Sequence, residues 1–282
     1  MTSSETSSTS SDSRDILVLG GTGKTGRRVA ALLGGRAKVA TRSGPIRFDW
    51  ADTTTWEPAL TGVHAAYVVD SQGPDAGAEV AEFAALATAR GVRRLVLLSA
   101  RVGQDLEGDV WLATERAVRA SGTGWTILRP TWFAQNFGED PLITDALRAG
   151  DLRLPTGEGR EPFIDAEDIA EVAVAALTGE GHAGQVYELS GPAALTWGEA
   201  VAEVARATGD VIRYTPLDED TYRAESEARG VTGDHLDLMV ALFAHIREGR
   251  AAHLSDGVRR VLGREPRPFA AHAATLGSLA RD

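Results

Sequence analysis

The sequence has 282 residues, of which 43% are hydrophobic and 24% charged, so it can bury at least one large core. Its formal net charge of -11 argues against broad nucleic-acid binding, because the neutralisation of phosphates requires a basic surface. The absence of cysteine excludes disulfides, thiolate catalysis and cysteine-ligated metals.

The sequence shows no pattern typical of a secretory signal or of a membrane span. Residues 1–13 are rich in serine and threonine and offer almost nothing to bury, so we expect a disordered tail there. No apolar run reaches the roughly 18 residues that a membrane span needs, and the N-terminus has no basic region before an apolar core. We therefore expect a cytoplasmic protein that does not contact membranes.

Strands alternate with helices along the first half of the chain. Short, continuously apolar runs predict strands, and the stretches between them have helical periodicity. The predicted strands cover 15–19, 38–41, 46–48, 65–69, 94–98 and 125–128, and the predicted helices cover 24–33, 53–60, 78–90 and 108–120. This rhythm is typical of right-handed βαβ units, so we predict an α/β fold of the Rossmann type with a doubly wound parallel sheet.

The pattern loosens after residue 130. Predicted helices cover 140–149, 165–177, 196–207, 218–229, 234–247 and 268–279, and predicted strands cover 186–189 and 211–214. Thr196 followed by Glu199 has the pattern of a capping box. We divide the chain into a tail (1–13), a dinucleotide-binding domain (14–135) and a smaller α/β substrate-binding lobe (136–282) whose elements interleave with that domain.

A glycine-rich turn lies between the first predicted strand and the first helix. Gly20, Gly23 and Gly26 have the spacing that allows a tight turn, close approach of the backbone to a pyrophosphate, and packing of helix on strand. The helix N-terminus then offers free amides to the phosphates. An ATP-binding P-loop would need glycine at the position of Val18, so we reject that alternative. The remaining alternative is a glycine-rich connection without a ligand.

The end of the second predicted strand indicates which dinucleotide binds. It carries Arg42 and Ser43 and lacks the acid that contacts the ribose in NAD-binding proteins. Arg42 is suited to a bidentate contact with a 2′-phosphate, and Ser43 adds a hydroxyl. We therefore predict NADP(H) in preference to NAD(H). The alternative is that Arg42 is a solvated surface arginine.

Four segments resemble one known family: GGTGKTG (20–26), RFDW (47–50), TWEPAL (55–60) and LRPTWFAQNF (128–137). Together they are similar to the NmrA-like, atypical short-chain dehydrogenases/reductases, and within that group to bacterial relatives of the ergot-alkaloid reductases of the agroclavine-dehydrogenase type. The resemblance covers about residue 16 to the C-terminus.

The resemblance implies contacts along the whole cofactor, from the pyrophosphate to the nicotinamide. The residues are Gly20, Thr22, Gly23, Lys24, Thr25 and Gly26 at the pyrophosphate, Arg42 and Ser43 at the adenosine phosphate, Asp49 and Trp50 near the adenine, Val69 and Asp70 at the nicotinamide ribose, Ser99 at the ribose or the substrate, and Pro130, Thr131, Trp132 and Phe133 beside the nicotinamide.

One position departs from the wider superfamily. Its typical members use a tyrosine and a lysine four residues apart, the tyrosine as acid and the lysine to lower its pKa. Here the matching helix has Trp111 and Glu115, and the lysines of the chain are Lys24 and Lys38. An indole does not donate a proton to a carbonyl in that way, so we do not expect an ordinary alcohol dehydrogenase.

The remaining residues suit a substrate that needs no strong proton donor. We expect an NADPH-dependent reductase of an imine or iminium, a quinone or a conjugated carbonyl, in secondary metabolism. Candidate catalytic residues are Ser99, Trp111 and Glu115, and candidate substrate-binding residues are Trp111, Trp132, Phe133, Gln135 and Asn136. The alternative for Trp132 and Phe133 is core packing, and the alternative for Glu115 and Asp70 is a solvated charge.

Two other functions stay open. One is a non-catalytic redox sensor or regulator of the NmrA type, which binds NADP(H) and a protein partner; the other is a redox-neutral cyclase or isomerase on the same fold. The histidines show no metal-binding spacing, so we expect no metal. The expected partner is a small-molecule substrate, and we expect a monomer or a homodimer.

Overall fold

The structure is a computed structural model, and it describes residues 15–104 and 110–279. The expected disordered tail at 1–13 lies outside the described residues. The strands, in chain order, are β1 (Asp15–Leu19), β2 (Ala37–Thr41), β3 (Ile46–Arg47), β4 (Val63–Val68), β5 (Arg94–Leu98), β6 (Gly124–Pro130), β7 (Asp151–Leu154), β8 (Arg160–Glu161), β9 (Gln185–Leu189), β10 (Leu195–Thr196) and β11 (Arg213–Pro216).

Helices connect most of these strands. They are α1 (Gly26–Leu33), α2 (Trp56–Ala59), α3 (Ala76–Ala89), α4 (Val110–Arg119), α5 (Asn136–Glu139), α6 (Pro141–Arg148), α7 (Ala166–Thr178), α8 (Trp197–Thr208), α9 (Glu219–Ala228), α10 (Asp234–Arg247), α11 (Gly257–Leu262) and α12 (Phe269–Ala273). Within the described ranges, none of the helices has both the length and the apolar character needed to cross a membrane.

Seven strands form one parallel sheet in the order β3-β2-β1-β4-β5-β6-β9. The order runs outward from β1 in one direction and from β4 in the other, which confirms the predicted doubly wound, Rossmann-type α/β fold. The reversal of strand order between β1 and β4 opens a crevice beyond their carboxyl ends, and the glycine turn follows β1 at this point.

Both faces of the sheet are covered, and for this reason its strands are continuously apolar. On one face, Leu17 and Leu19 pack in a cluster with Phe48, Trp56 and Phe83. The alternate residues of β1 pack on the other face in a cluster with α1 and α7. Burial on both sides holds β1 rigidly, so the turn that follows it begins from a fixed point.

The last strand of the sheet comes from the segment that we predict as the second lobe. β9 pairs with β6, with Thr126 opposite Gln185 and Pro130 opposite Leu189. α7, from the same segment, packs against β4, β5 and β6. Elements of the two halves are therefore interleaved, while the boundary between residues 135 and 136 stays a prediction.

A separate apolar cluster organises the C-terminal elements. Its centre is four aromatic side chains whose neighbouring rings have centroids 4.9–5.4 Å apart: Phe137, Phe163, Trp197 and Phe269. The predicted capping box at the start of α8 is confirmed. The Glu199 amide donates to Thr196 Oγ1 at 3.0 Å, and the Thr196 amide donates to Glu199 Oε2 at 2.9 Å.

The structure differs from the predicted elements in short and terminal segments. The sequence pattern does not indicate β7, β8, β10, α5 or α11, because elements of two to six residues show little periodicity. The strand predicted at 211–214 begins at Arg213, where it pairs with Asp151 of β7. The helix predicted at 268–279 ends at Ala273, and farther on the Leu279 amide donates to Asp210 Oδ2 at 2.6 Å.

Candidate functional site

A cavity of about 950 Å³ lies at the carboxyl ends of the central strands. Most of the residues predicted for the site line it: Gly20, Thr22, Gly23, Lys24, Thr25, Arg42, Asp49, Trp50, Val69, Asp70, Ser99, Trp111, Pro130, Thr131, Trp132, Phe133 and Asn136. Four predicted site residues are not part of the lining: Gly26, Ser43, Glu115 and Gln135.

The glycine turn has the shape of an anion cradle. Gly20 has φ +62°, a conformation that favours glycine, and the Gly23 amide closes the turn by donating to the Gly20 carbonyl oxygen at 2.8 Å. Behind the turn, a Cβ on Gly26 would overlap that same oxygen. The amides of Thr22, Lys24 and Thr25 have no backbone acceptor among the described residues. These amides and the N-terminus of α1 fit a diphosphate.

Two side chains tie the turn to the protein around it. The Tyr67 hydroxyl, fully buried in β4, donates to Thr25 Oγ1 at 3.0 Å, and burial raises the pKa of Tyr67. Lys24 Nζ donates to Asn136 Oδ1 at 2.8 Å and forms an ion pair with Asp140 at 3.3 Å. The turn is therefore held from the sheet on one side and from α5 and α6 on the other.

Near the end of β2, which pairs with β1, the cavity wall has a cation and an indole. The Arg42 side chain is exposed, lines the cavity and forms no ion pair with a described residue. Trp50 donates from Nε1 to the Val69 carbonyl oxygen at 3.1 Å and packs edge-on against Phe48, with ring centroids 5.0 Å apart. Ser43 is exposed beside Arg42 but outside the lining.

Asp70 follows β4 in a tight loop over the cavity. Burial raises the pKa of its carboxyl and nearby Glu79 adds to the rise, against the hydrogen bond from the Gln72 amide at 3.1 Å. Gln72 has φ +58°, which is uncommon for a residue with a side chain. Asp70 is only partly exposed, so the alternative of a freely solvated charge does not describe it.

Ser99, Glu115 and Arg129 form a buried network beneath the cavity. Ser99 donates to Glu115 Oε1 at 2.8 Å, and Arg129 donates to both Glu115 oxygens at 2.7 and 2.6 Å. Burial opposes ionisation of Glu115, but these hydrogen bonds and the charges of Arg129 and Arg119 together outweigh it and hold the pKa of Glu115 below its ordinary value. Glu115 is thus neither a solvated helix charge nor poised to donate a proton, and a catalytic role for it stays an untested prediction.

Aromatic side chains form the far end of the cavity. Trp132 stacks on Phe243, with ring centroids 5.6 Å apart and an interplanar angle of 22°, and meets Trp197 edge-on. Trp111 is partly exposed at the cavity. Gln135 instead joins the start of α7, where it accepts from the Ala166 amide at 2.7 Å, so its side-chain oxygen is engaged within the protein.

Sequence reasoning missed three residues of this end: Arg101, Glu161 and His245. All three are buried and line the cavity. Arg101 Nη1 donates to the His253 carbonyl oxygen at 2.7 Å and Nη2 donates to that of Ala251. No group of three or more His, Asp or Glu side chains within 15–104 and 110–279 is arranged to hold a metal ion.

Comparison with known proteins gives relatives over nearly the full chain. "Uncharacterized oxidoreductase YesF" of Bacillus subtilis is 34% identical over 92% of this chain and 95% of its own. "NAD(P)H azoreductase" of Xenophilus azovorans is 34% identical, with 93% and 99% covered. "Agroclavine dehydrogenase" of Claviceps fusiformis is 33% identical, with 90% and 94% covered. No protein-family model matches the chain.

Solved structures share the fold. A triphenylmethane reductase of Citrobacter sp., complexed with NADP(H), superposes with a TM-score of 0.78 at 19% identity, over 92% of this chain and 99% of its own. A mutant of NmrA superposes with a TM-score of 0.70 at 16% identity, over 94% and 95%. The full-length relatives, the glycine turn and the doubly wound sheet agree: the chain belongs to the NmrA-like, atypical short-chain dehydrogenase/reductase family.

Proposed function

We propose that the chain is an NADPH-dependent reductase of a small organic acceptor, of the imine or iminium, quinone or conjugated-carbonyl class. One observation carries the proposal. A single cavity runs from the glycine turn and Arg42, which suit the phosphates, to the aromatic end at Trp111 and Trp132, which suits a flat acceptor.

The residues present fit NADP(H). The amides of Thr22, Lys24 and Thr25, which have no backbone acceptor in the part of the chain that the structure describes, and the start of α1 would hold the pyrophosphate. The exposed guanidinium of Arg42 would hold the 2′-phosphate. Pro130, Thr131 and Phe133 would form the wall beside the nicotinamide, which when bound supplies the hydride. The chain itself binds and orients the two reactants and excludes water between them.

The names of relatives support a reductase. Relatives that span most of the chain are named "NAD(P)H azoreductase", "Agroclavine dehydrogenase" and "Festuclavine dehydrogenase easG". The lobe beyond residue 135 fits a substrate-binding role because Leu242, His245 and Ala251 from that segment line the cavity beside the aromatic end.

NADPH consumption tests the proposal. The purified chain should oxidise NADPH in the presence of at least one acceptor from a panel of quinones, conjugated enones, azo compounds and cyclic iminium ions, measured by the loss of nicotinamide absorbance. A reaction without acceptor is the control. Tight binding of NADPH with no consumption across the panel would contradict a reductase and leave a redox sensor or a redox-neutral enzyme.

Arg42 is expected to determine the preference for NADPH over NADH. Replacing Arg42 with alanine should weaken NADPH binding about 10- to 100-fold, because a charge-assisted hydrogen bond contributes about 1.5–3 kcal/mol. NADH has no phosphate at this position, so its affinity should change by less than about threefold. Arg36→Ala, at an exposed arginine outside the cavity, is the matched control for calorimetric titrations. Equal losses for both cofactors would refute phosphate recognition by Arg42.

A further inference from the structure

Glu161 is a buried acid at the aromatic end of the cavity, and the proposed contacts with the cofactor give it no role. It ends β8, is 2% exposed and lines the cavity with Arg101 and His245. Its Oε1 atom accepts from the Trp132 amide at 3.3 Å and lies 3.7 Å from Arg101 Nη2, farther than a hydrogen bond reaches. These two contacts hold the carboxyl loosely compared with other buried acids of the chain.

Glu161 lies beside the wall expected to face the nicotinamide. Thr131 Oγ1 donates to the Pro162 carbonyl oxygen at 2.7 Å, and the Ile164 amide donates to the Trp132 carbonyl oxygen at 2.9 Å. Together with the hydrogen bond from the Trp132 amide to Glu161, these bonds hold residues 161–164 against the end of β6 and the residues that follow it, which form the wall. An acceptor placed against the wall would therefore lie next to the carboxyl of Glu161.

The electrostatic surroundings of Glu161 permit proton exchange. Burial raises the pKa of Glu161 to about 7, and Arg101 and the Trp132 amide only partly oppose this. Two titratable or charged groups face Glu161: Arg101, from the turn after β5, and His245, from the helix α10 that packs against β8. The neighbouring strand β10 places the apolar residue Leu195 opposite Glu161. Both protonation states are populated near neutral pH, as a group that gives up and regains a proton requires.

We propose that Glu161 is the general acid of this site and that the substrates are acceptors whose reduction takes up a proton at oxygen or nitrogen. These are quinones, conjugated carbonyls, azo compounds and neutral imines, in contrast to preformed iminium ions, which need only hydride. The inference rests on the proposed reductase function and narrows its substrate class.

The step balances with NADPH as reductant. The acceptor gains a hydride at one atom of its double bond or conjugated system, and the π electron pair moves to oxygen or nitrogen. A new O–H or N–H bond forms there as the O–H bond of the Glu161 carboxyl breaks. The carboxylate regains a proton from water, so the sum is acceptor, NADPH and one proton giving reduced acceptor and NADP⁺.

Glu161→Gln separates this role from simple packing, because glutamine keeps the shape and cannot donate that proton. Glu158→Gln, at an exposed acid in the turn before β8 and outside the cavity, is the matched control. Single-turnover NADPH oxidation is measured with menadione or a conjugated enone, whichever the wild-type protein reduces faster, and with an N-methylated cyclic iminium ion. NADPH affinity is measured in parallel by fluorescence.

For the acceptor that takes up a proton, the wild-type rate should fall as the pH rises through about 7. Glu161→Gln should lower the rate about 100-fold or more below that pH and remove the pH dependence. Iminium reduction and NADPH affinity should stay within about threefold of wild type. Glu158→Gln should match the wild-type protein in every assay.

A carboxyl titration gives a readout that does not depend on turnover. In protein with ¹³C-labelled glutamate and bound NADP⁺, one side-chain carboxyl should titrate near pH 7. Its resonance should be absent in Glu161→Gln and present in Glu158→Gln. If Glu161→Gln fails to fold, the wild-type titration still decides, because the absence of any glutamate titrating near neutral pH overturns the proposal.

The outcomes distinguish this inference from the proposed function. Equal losses of Glu161→Gln with both acceptor classes, or no loss with either, would overturn the acid role and leave the reductase intact. A wild-type protein that binds NADPH but reduces none of the acceptors would overturn the reductase and the acid role together.

Discussion

Replacing Gly26 with alanine is expected to lower the affinity for NADPH at least about 100-fold, which corresponds to roughly 3 kcal/mol. A Cβ at this position would overlap the carbonyl oxygen of Gly20 and lie 3.0 Å from the Cα atom of Gly21. Both are backbone atoms, so neither can move aside as the end of a flexible side chain would. Relief of the overlap must reshape the turn that presents the amides. Fluorescence and calorimetric titrations with NADPH measure the effect.

Gly35→Ala is the matched control for this substitution. Gly35 lies just beyond the other end of α1, is exposed, and has open space where a Cβ would be placed. Its alanine variant should bind NADPH as the wild-type protein does. If Gly26→Ala also kept wild-type affinity while folding normally, the glycine turn would not be the phosphate site, and the proposed function would lose its basis.

Replacing Arg129 with methionine is expected to lower the free energy of unfolding by about 3–5 kcal/mol at neutral pH. The substitution leaves Glu115, which is 3% exposed, ionised in the interior without the guanidinium that donates to both its oxygens. Arg119, which is 39% exposed and lies 3.5 Å from Glu115 Oε2, remains and offsets part of the cost, so we expect the lower end of this range. Chemical denaturation measures the loss. Adding Glu115→Gln to the same variant should recover part of it, because the buried charge is then removed as well.

The contribution of this pair should depend on pH in a defined direction. The pKa of Glu115 is lowered in the folded state, because the hydrogen bonds from Arg129 and Ser99 and the charges of Arg129 and Arg119 together outweigh the opposing effect of burial. The unfolded chain therefore binds the proton more tightly, and the stabilisation is complete above the unfolded pKa of about 4.3. It is lost as the pH falls through the lower folded-state pKa, so the defect of Arg129→Met should shrink in acid.

A surface pair provides the comparison. Arg148 and Asp145 form an ion pair at 3.1 Å with both side chains at least 40% exposed. Arg148→Met should change the free energy of unfolding by no more than about 1 kcal/mol, since solvent already screens this pair. If Arg129→Met and Arg148→Met had equal effects, the network around Glu115 would not be a principal source of stability.

The first half of the fold could be predicted because each element there carries a strong local pattern. β5 has the predicted bounds, Arg94–Leu98, since its apolar run is buried on both faces and ends at polar residues. The glycine turn could be predicted equally well. The positive φ of Gly20 and the close approach of Gly26 to the Gly20 carbonyl oxygen both require glycine. Such requirements leave a signature in the sequence itself.

The substrate end could not be predicted in the same way, because chain folding brings distant residues together there. Arg101 follows β5, Glu161 lies on a two-residue strand, and His245 is near the end of α10. The one local signal was an acid directly before the apolar residues Pro162 and Phe163. Glu115 shows the same difficulty, since no helix pattern reveals that its carboxylate is matched by Arg129 on a neighbouring strand.

The position of β9 in the main sheet has a consequence for redesign of this protein. A chimera that took everything beyond one cut near residue 135 from another family member would also replace the strand beside β6 and the helix α7 beneath the sheet. New substrate preferences are better introduced by exchanging the segment that holds α9 and α10, together with its partners in the C-terminal cluster, while leaving β9 and α7 in place. The part of this protein that can be exchanged by itself is therefore an internal segment, and not everything beyond a single cut in the chain.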